Sequence, residues 1–581
     1  MIKAQHLSYS YPQKDLFHDI TFTLEDGQHC AFIGVSGSGK STLADIIMDP
    51  EKYMYTGDLE IMPNCQIGYV NQFADMTQLQ DMTVFDYIAQ DFIKFQNKIA
   101  AICTKMETAE DLDTLLEHYQ HTLDAYEAIG GDDFESIIDK KLYLADLTKL
   151  RDLSVLTLSG GEFKLVQIIK EMLSRPSLLI MDEPDVFLDF ENLNSLKSLI
   201  NSHKGTLLVI THNRYLLNNC FNKILHLENM ELQEFDGSYI EYNYSLLERK
   251  IELQELAHKD TEEIKRNEEL IDRLRTAATN YDDASRGKSL KARIKIQERL
   301  EARRIKAPFV EIKQPNIVLS TNKPIESETA LTVNGYHVAF EHPLLENVCF
   351  EIGATDKVAL IGANGTGKTT LLRDLYKKQH PSIHVNENIE MAYVSQLQGE
   401  TLDETSTIMD TFLELGFETP ADVLAYLSEY GFHEDMMQQK ISSLSGGEKN
   451  LLQLAIISLG EANMLLLDEP TSHLDTYAQL ALEEAIKNYN GAILMISHDF
   501  YSIANCMDYV LIIEDQTIRR MSMRKFRKMI YARHFDKDYL EIEQKKKEIE
   551  LKIARALKDN NFTLAESLFE TLEPLVKSLS N

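Results

Sequence analysis

The sequence predicts an α/β protein: two P-loop nucleotide-binding units in tandem, joined by a helical hairpin. Three observations carry that expectation. A glycine-rich GxxxxGK[ST] loop occurs twice, at GVSGSGKST (34–42) and GANGTGKTT (362–370). Four further motifs recur in the same order: GYVNQ (68–72) and AYVSQ (392–396), LSGGE (158–162 and 444–448), LLIMDEP (178–184) and LLLDEP (465–470), VITHN (209–213) and MISHD (495–499). Between the two sets lies a charged segment with the spacing and composition of paired helices.

The repeat is a duplication. Ser159 to Ser445, Glu183 to Glu469, Asp189 to Asp475 and His212 to His498 are each separated by 286 residues, and chance does not hold one offset across four matches. The P-loop lysines, Lys40 and Lys368, are 328 apart. The surplus sits mainly between Gln72 and Ser159, 87 residues against 49 from Gln396 to Ser445, in a stretch of helix formers at about 85–150. The expected domains are a first unit at 1–243, a linker at 244–325, a second unit at 326–520 and an extension at 521–581.

Composition bounds the class. With 581 residues, a net charge of −33 and 44% hydrophobic residues, the chain reads as a globular protein of several domains. The acidic balance excludes a protein that coats nucleic acid with its whole surface, because phosphate binding needs Lys and Arg. No apolar run long enough for a membrane span and no signal peptide is visible. The six cysteines show no metal-ligand spacing, so mostly buried free thiols in a reducing cytoplasm are expected.

Each unit carries the chemistry of phosphate binding. Gly37 and Gly39 let the loop bend so that its N–H groups face phosphate oxygens, and the following helix adds its positive end. Lys40 supplies a point charge, Ser41 a Mg²⁺ ligand, and Thr42 completes the motif. Gly365, Gly367, Lys368, Thr369 and Thr370 repeat the set. The apolar DEP strands suit central parallel strands whose carboxyl ends face a ligand. Asp182 and Asp468 are expected in the Mg²⁺ shell, and Glu183 and Glu469 are placed to orient or deprotonate the attacking water. Gln72 and Gln396, at strand ends, reach Mg²⁺ or that water; an exposed strand-end Gln is the plainer reading. His212 and His498 each follow the glutamate by 29 residues. A lone His there is more often a satisfied polar residue, but its matched position in both copies argues for a γ-phosphate contact.

Ser159, Gly160 and Gly161, with Ser445, Gly446 and Gly447, read as a second phosphate cradle at a helix start. Each unit thus has two phosphate-binding turns and one P-loop lysine. That suggests head-to-tail pairing, with each nucleotide between one unit's P-loop and the other's LSGGE.

The ordered set GxxxxGK[ST], Gln, LSGGE, DEP and His resembles the ATP-binding-cassette ATPases across both units. Two cassettes, no membrane span and a charged helical linker resemble the ABC-F subfamily. The resemblance implies ATP and Mg²⁺ as cofactors, ATP hydrolysis, a single chain whose cassettes pair with each other, and a ribosome partner, in translation or in antibiotic resistance. Tyr11 and Phe340 match the family's adenine-stacking aromatic; a core position is the other reading. EPTSHLD (469–475) is close to the family's usual loop, whereas EPDVFLD (183–189) departs at Asp185, Val186 and Phe187. That departure predicts a first site that turns over more slowly or communicates differently, with neither site inactive.

From Arg273 to Lys306 eleven basic residues stand against four acidic ones, a net +7. A charge run is usually a solvated face, but this one stands out of an acidic chain between two ATPase units. It favours contact with the rRNA or tRNA backbone. Leu246, Leu253 and Leu256 mark one helix of the hairpin. RRMSMRKFRKMIYAR (519–533) is basic too, and nucleic-acid contact, cassette docking and solubility all remain open for it. The competing reading is an ATPase subunit working with a separate membrane permease. A DNA-repair or chromosome ATPase would carry zinc-binding cysteines or very long coiled coils, so DNA is not expected as partner.

Overall fold

The computed structural model describes residues 1–11, 14–63, 65–72, 81–107, 112–186, 188–280, 293–297, 315–323, 328–340, 342–534 and 539–580. Phe187 and most of the basic stretch (281–292 and 298–306) lie outside the described residues. The chain folds into two compact units, Met1–Asp236 with Gln314–Ile530, and Gly237–Lys313 with Tyr531–Asn581.

The first compact unit holds both cassettes, built alike. Each has a six-stranded sheet with five parallel strands and an antiparallel edge. In the first cassette the order is 67–70, 178–182, 206–210, 29–34, 223–228, 231–236; in the second it is 391–394, 464–468, 492–496, 357–361, 509–514, 517–522. Leu178–Asp182 and Met464–Asp468 are buried at every position because neighbours cover both faces. Each fully buried Leu, Ile or Met there contributes roughly 1.5–3 kcal/mol. A three-stranded antiparallel sheet stands beside each large sheet, formed by Ile2–Tyr11, Lys14–Leu24 and Thr56–Ile61, or by Thr329–Ala339, Pro343–Gly353 and Ile383–Val385. The P-loop helix packs into the same core, with Leu43 and Ile46 in one cassette and Leu371 and Leu375 in the other.

The surplus of the first cassette is helical: Val84–Met106, Leu112–Ala128 and Phe134–Leu144, against Ile408–Glu414 and Pro420–Ser428 in the second. The basic segment after the last strand forms the helix Met523–His534, whose buried Phe526 meets Phe190 and Phe500. Of its open readings, docking on the cassettes is what the structure shows.

In the second compact unit a single helix spans Tyr239–Asn280. Residues 293–297 are helical and return beside it, with Asn267 Nδ2 donating to Gln297 Oε1 at 2.7 Å in a buried contact. The helices Tyr539–Lys558 and Phe562–Ser580 form an antiparallel pair turned at Asn560, which has a left-handed φ of 54°. Ile553, Ala556 and Ala565 pack on Ile251, and Tyr244 stacks on Phe569 at 4.3 Å. The helix expected from the spacing of Leu246, Leu253 and Leu256 lies within Tyr239–Asn280. Leu256 is exposed, and the packed stripe is Ile240, Tyr244, Leu247 and Ile251, because the partner is the C-terminal pair. Among the described residues no helix is long and apolar enough to cross a membrane.

Candidate active sites

Strands His29–Gly34 and Lys357–Ile361 run into the two glycine-rich loops and then the helices Lys40–Met48 and Lys368–Lys377. Gly39 and Gly367 cap those helices at φ 102° and 89°, a left-handed conformation that strains any residue with a Cβ; at Gly39 that Cβ would also stand 3.2 Å from Leu16. Gly37 and Gly365 are left-handed as well. Lys40 Nζ donates to the carbonyls of Gly34 and Val35 at 2.9 Å, and Lys368 Nζ to those of Gly362 and Ala363 at 2.8 Å. Burial pulls both ammonium groups down in pKa, so each favours an anion beside it. Ser41 and Thr42, like Thr369 and Thr370, occupy the first turn of their helices.

Asp182 and Asp468 end the buried strands. Burial raises the Asp182 carboxyl, eased by the Ser41 hydroxyl; burial pushes Asp468 up to about 6 against a hydrogen bond from Thr369. Asp468 Oδ1 is buried and has no hydrogen-bond partner among the described residues. Hydroxyl and carboxylate oxygens together suit a hard cation, so this donor set fits Mg²⁺. The next residues, Glu183 and Glu469, both have left-handed backbones, φ 43° and 50°. That strain, about 1–3 kcal/mol each, is typical of residues held for chemistry.

The two glutamates sit in different surroundings. Glu183 Oε2 accepts from Gln72 Nε2 at 2.6 Å and lies 3.1 Å from Nδ1 of His473, a residue of the other cassette. Burial raises this carboxyl, but the hydrogen bond from His473 and the nearby charge of Lys40 hold it down at about 2. Among the described residues, Glu469 has no such donor from the other cassette. Burial and neighbouring Asp468 push it up to about 8, and its contacts are the His498 backbone N–H at 3.2 Å and the His498 ring at 3.4 Å. Burial takes His212 down to about 4 and His498 to about 3, leaving neutral imidazoles. His212 Nε2 and His498 Nδ1 are buried and have no hydrogen-bond partner among the described residues.

The cassettes meet head to tail. Ser36, in the first P-loop, donates its N–H to Asp475 Oδ2 at 3.4 Å and lies 3.4 Å from Ser445 Oγ. In the second, the Asn364 N–H donates to Asp189 Oδ2 at 3.2 Å. A cavity of about 550 Å³ brings Ser159, Gly160 and Gly161 of the first cassette to Lys368, Thr369, Thr370, Gln396, Asp468, Glu469 and His498 of the second. Ser159 and Ser445 each form a reciprocal capping box with Glu162 or Glu448, which fixes the helix start. Gly447 is required by close approach: a Cβ there would stand 2.5 Å from the His473 carbonyl oxygen and 2.8 Å from Ser36 Oγ.

Other expectations resolve locally. Tyr11 and Phe340 are 46% and 73% exposed, so neither is a core aromatic. Within the departing stretch 183–189, Glu183 accepts from Gln72 of its own cassette and Asp189 accepts from Asn364 in the second P-loop. Half-buried Asp185 accepts from Thr211 at 2.6 Å where the second cassette pairs Thr471 with Ser497 at 3.2 Å, so one polar pair replaces another. Sequence reasoning passed over His473, Ser36 and Asn364. All three act on the opposite cassette, and His473 has no counterpart in the first copy to flag it.

The sequence profile of the ABC transporter family matches residues 17–186 and 345–472, and a second ABC transporter profile matches 225–318. The ATP-binding protein YfmM of Bacillus subtilis is 31% identical over 522 residues, covering 86% of this chain and 96% of its own length. ABC transporter F family member 2 of Arabidopsis thaliana is 28% identical, covering 88% and 76%. The energy-dependent translational throttle protein EttA of Mycobacterium tuberculosis is 29% identical, covering 86% and 89%. Among solved structures, the RNase-L inhibitor shares the fold with a TM-score of 0.52 at 18% identity, covering 92% of both chains. This chain belongs to the ATP-binding-cassette family, in its ABC-F subfamily, and is an ATPase.

Proposed function

We propose that the chain is a cytoplasmic, monomeric ATPase that binds two ATP molecules between its cassettes and couples closure and hydrolysis to the ribosome. The observation that carries this is the pairing of each P-loop with the other cassette's signature turn within one chain. Lys40 and Lys368 hold the phosphates, Tyr11 and Phe340 stack on adenine, and His212 and His498 contact the γ-phosphate. Ser41, Gln72 and Asp182, with Thr369, Gln396 and Asp468, hold Mg²⁺. When bound, Mg²⁺ offsets charge on the β- and γ-phosphates. Glu183 and Glu469 orient or deprotonate the attacking water. The ribosome enters through the relative named as a translational throttle protein and through the +7 stretch 273–306, whose Lys and Arg suit rRNA or tRNA phosphates. The output is a translation-factor activity or protection of the ribosome from antibiotics; an inhibition panel of ribosome-targeting compounds separates the two.

The test is co-sedimentation. Glu183→Gln combined with Glu469→Gln is expected to pellet with ribosomes in ATP and stay in the supernatant without it. A supernatant protein in both conditions contradicts the proposal.

A further inference from the structure

We propose that His473 of the second cassette is a positioning residue for the first site, setting the Glu183 carboxylate from across the cassette interface. The inference rests on the reading of Glu183 as the group that activates water. His473 lies between Glu469 and the helix Thr476–Asn488, with a left-handed φ of 61° that a non-glycine residue adopts only when its surroundings impose it. Those surroundings are visible. Asn450 Nδ2 donates to the Ser472 carbonyl at 2.6 Å, and Ser472 Oγ to the Glu469 carbonyl at 2.7 Å, so the loop is tied to the signature helix on one side and to the strand end on the other.

The ring then reaches across. His473 Nδ1 is 3.1 Å from Glu183 Oε2 and 3.2 Å from Gln72 Nε2, which itself donates to Oε2 at 2.6 Å. In the proposed arrangement Nδ1 carries the proton and donates it to the carboxylate, while Gln72 Nε2 converges on the same oxygen. Two donors on Oε2 fix the carboxylate plane and thereby the direction of Oε1. Behind the ring, a Cβ at Gly446 would stand 3.0 Å away, so the signature turn that faces Ser36 of the first P-loop also packs on His473. An ATP seated at that turn is thereby coupled, through one side chain, to the glutamate that acts on it. The first copy has Phe187 at the matching position, which has no N–H to donate. The device therefore serves the first site alone.

The full-length chain tests this with each site isolated in turn. In the Glu469→Gln background, where the first site turns over, His473→Ala is expected to lower kcat about tenfold while KM for ATP moves less than about twofold. His473→Asn, which keeps a donor near the Nδ1 position, is expected to restore at least about half of that rate. In the Glu183→Gln background the His473→Ala loss is expected to be several-fold smaller. Equal losses in both backgrounds, a change confined to KM, an Asn variant no better than Ala, or a Glu469→Gln chain with no turnover to lose would each overturn the proposal. The underlying reading fails separately: a chain carrying both Glu→Gln changes would then hydrolyse ATP at the unsubstituted rate.

Discussion

Arg214, two residues after His212, is buried where the cassettes meet, and its guanidinium reaches Glu483 at 2.5 Å and Asp499 at 2.7 Å, both in the other cassette. It lies 5.0 Å over the Tyr501 ring, and Ser502 completes the polar lining. Removing the cation would leave the buried Glu483 carboxylate and the partly buried Asp499 without their partner, which costs about 3–5 kcal/mol. Arg214→Met is therefore expected to lower the urea midpoint of the cassette unit, and an unchanged midpoint would show that the cluster adds nothing. The repeat comparison could not reveal this residue, because its counterpart is Phe500. A duplication exposes what both copies share, such as Lys40 with Lys368 or Glu183 with Glu469. Lys164 is of the hidden kind: it donates to the Gln72 carbonyl at 2.9 Å and is taken down to about 8 by burial, while its counterpart Asn450 holds Ser472. The contact of Arg214 between copies and those of Lys164 and Asn450 within them depend on such differences, and a linear comparison discards them.

At the scale of elements, the linker helix and the C-terminal pair share one small core. Ile553 is fully buried against Ile251 and Leu557, and Leu572 and Val576 cover Ile240. Deleting buried methylenes costs about 2–5 kcal/mol when the site cannot collapse. Ile553→Ala is expected to speed amide hydrogen exchange in Tyr239–Asn280 near Ile251 as well as in both C-terminal helices. Faster exchange in the C-terminal pair alone would mean the linker helix stands without it. Helix existence was legible here from composition, and the turn from Asp559 to Asn561. The buried stripe was not legible, since Leu246, Leu253 and Leu256 keep helical spacing as well as Ile240, Leu247 and Ile251 do; only the partner's position chooses between the faces.

For the whole molecule, the charge of −33 is an average over parts of opposite charge. Acidic cassettes stay soluble and resist indiscriminate RNA binding, while the +7 stretch 273–306 concentrates the positive charge. The tandem fold was legible because five motifs recur in order, and the head-to-tail pairing because each unit has two phosphate turns and one lysine. The inequality of the sites was legible only in part. EPDVFLD marked a difference, but the opposite environments of Glu183 and Glu469 arise from His473, Asp468 and burial, which exist only once the cassettes have folded together. Imaging the Glu183→Gln, Glu469→Gln chain on ribosomes in ATP bears most directly on the central claim. The expected result is a closed pair of cassettes with residues 273–306 against the rRNA or tRNA backbone. A bound chain whose 273–306 segment touches no nucleic acid, or the absence of any bound chain, would contradict it.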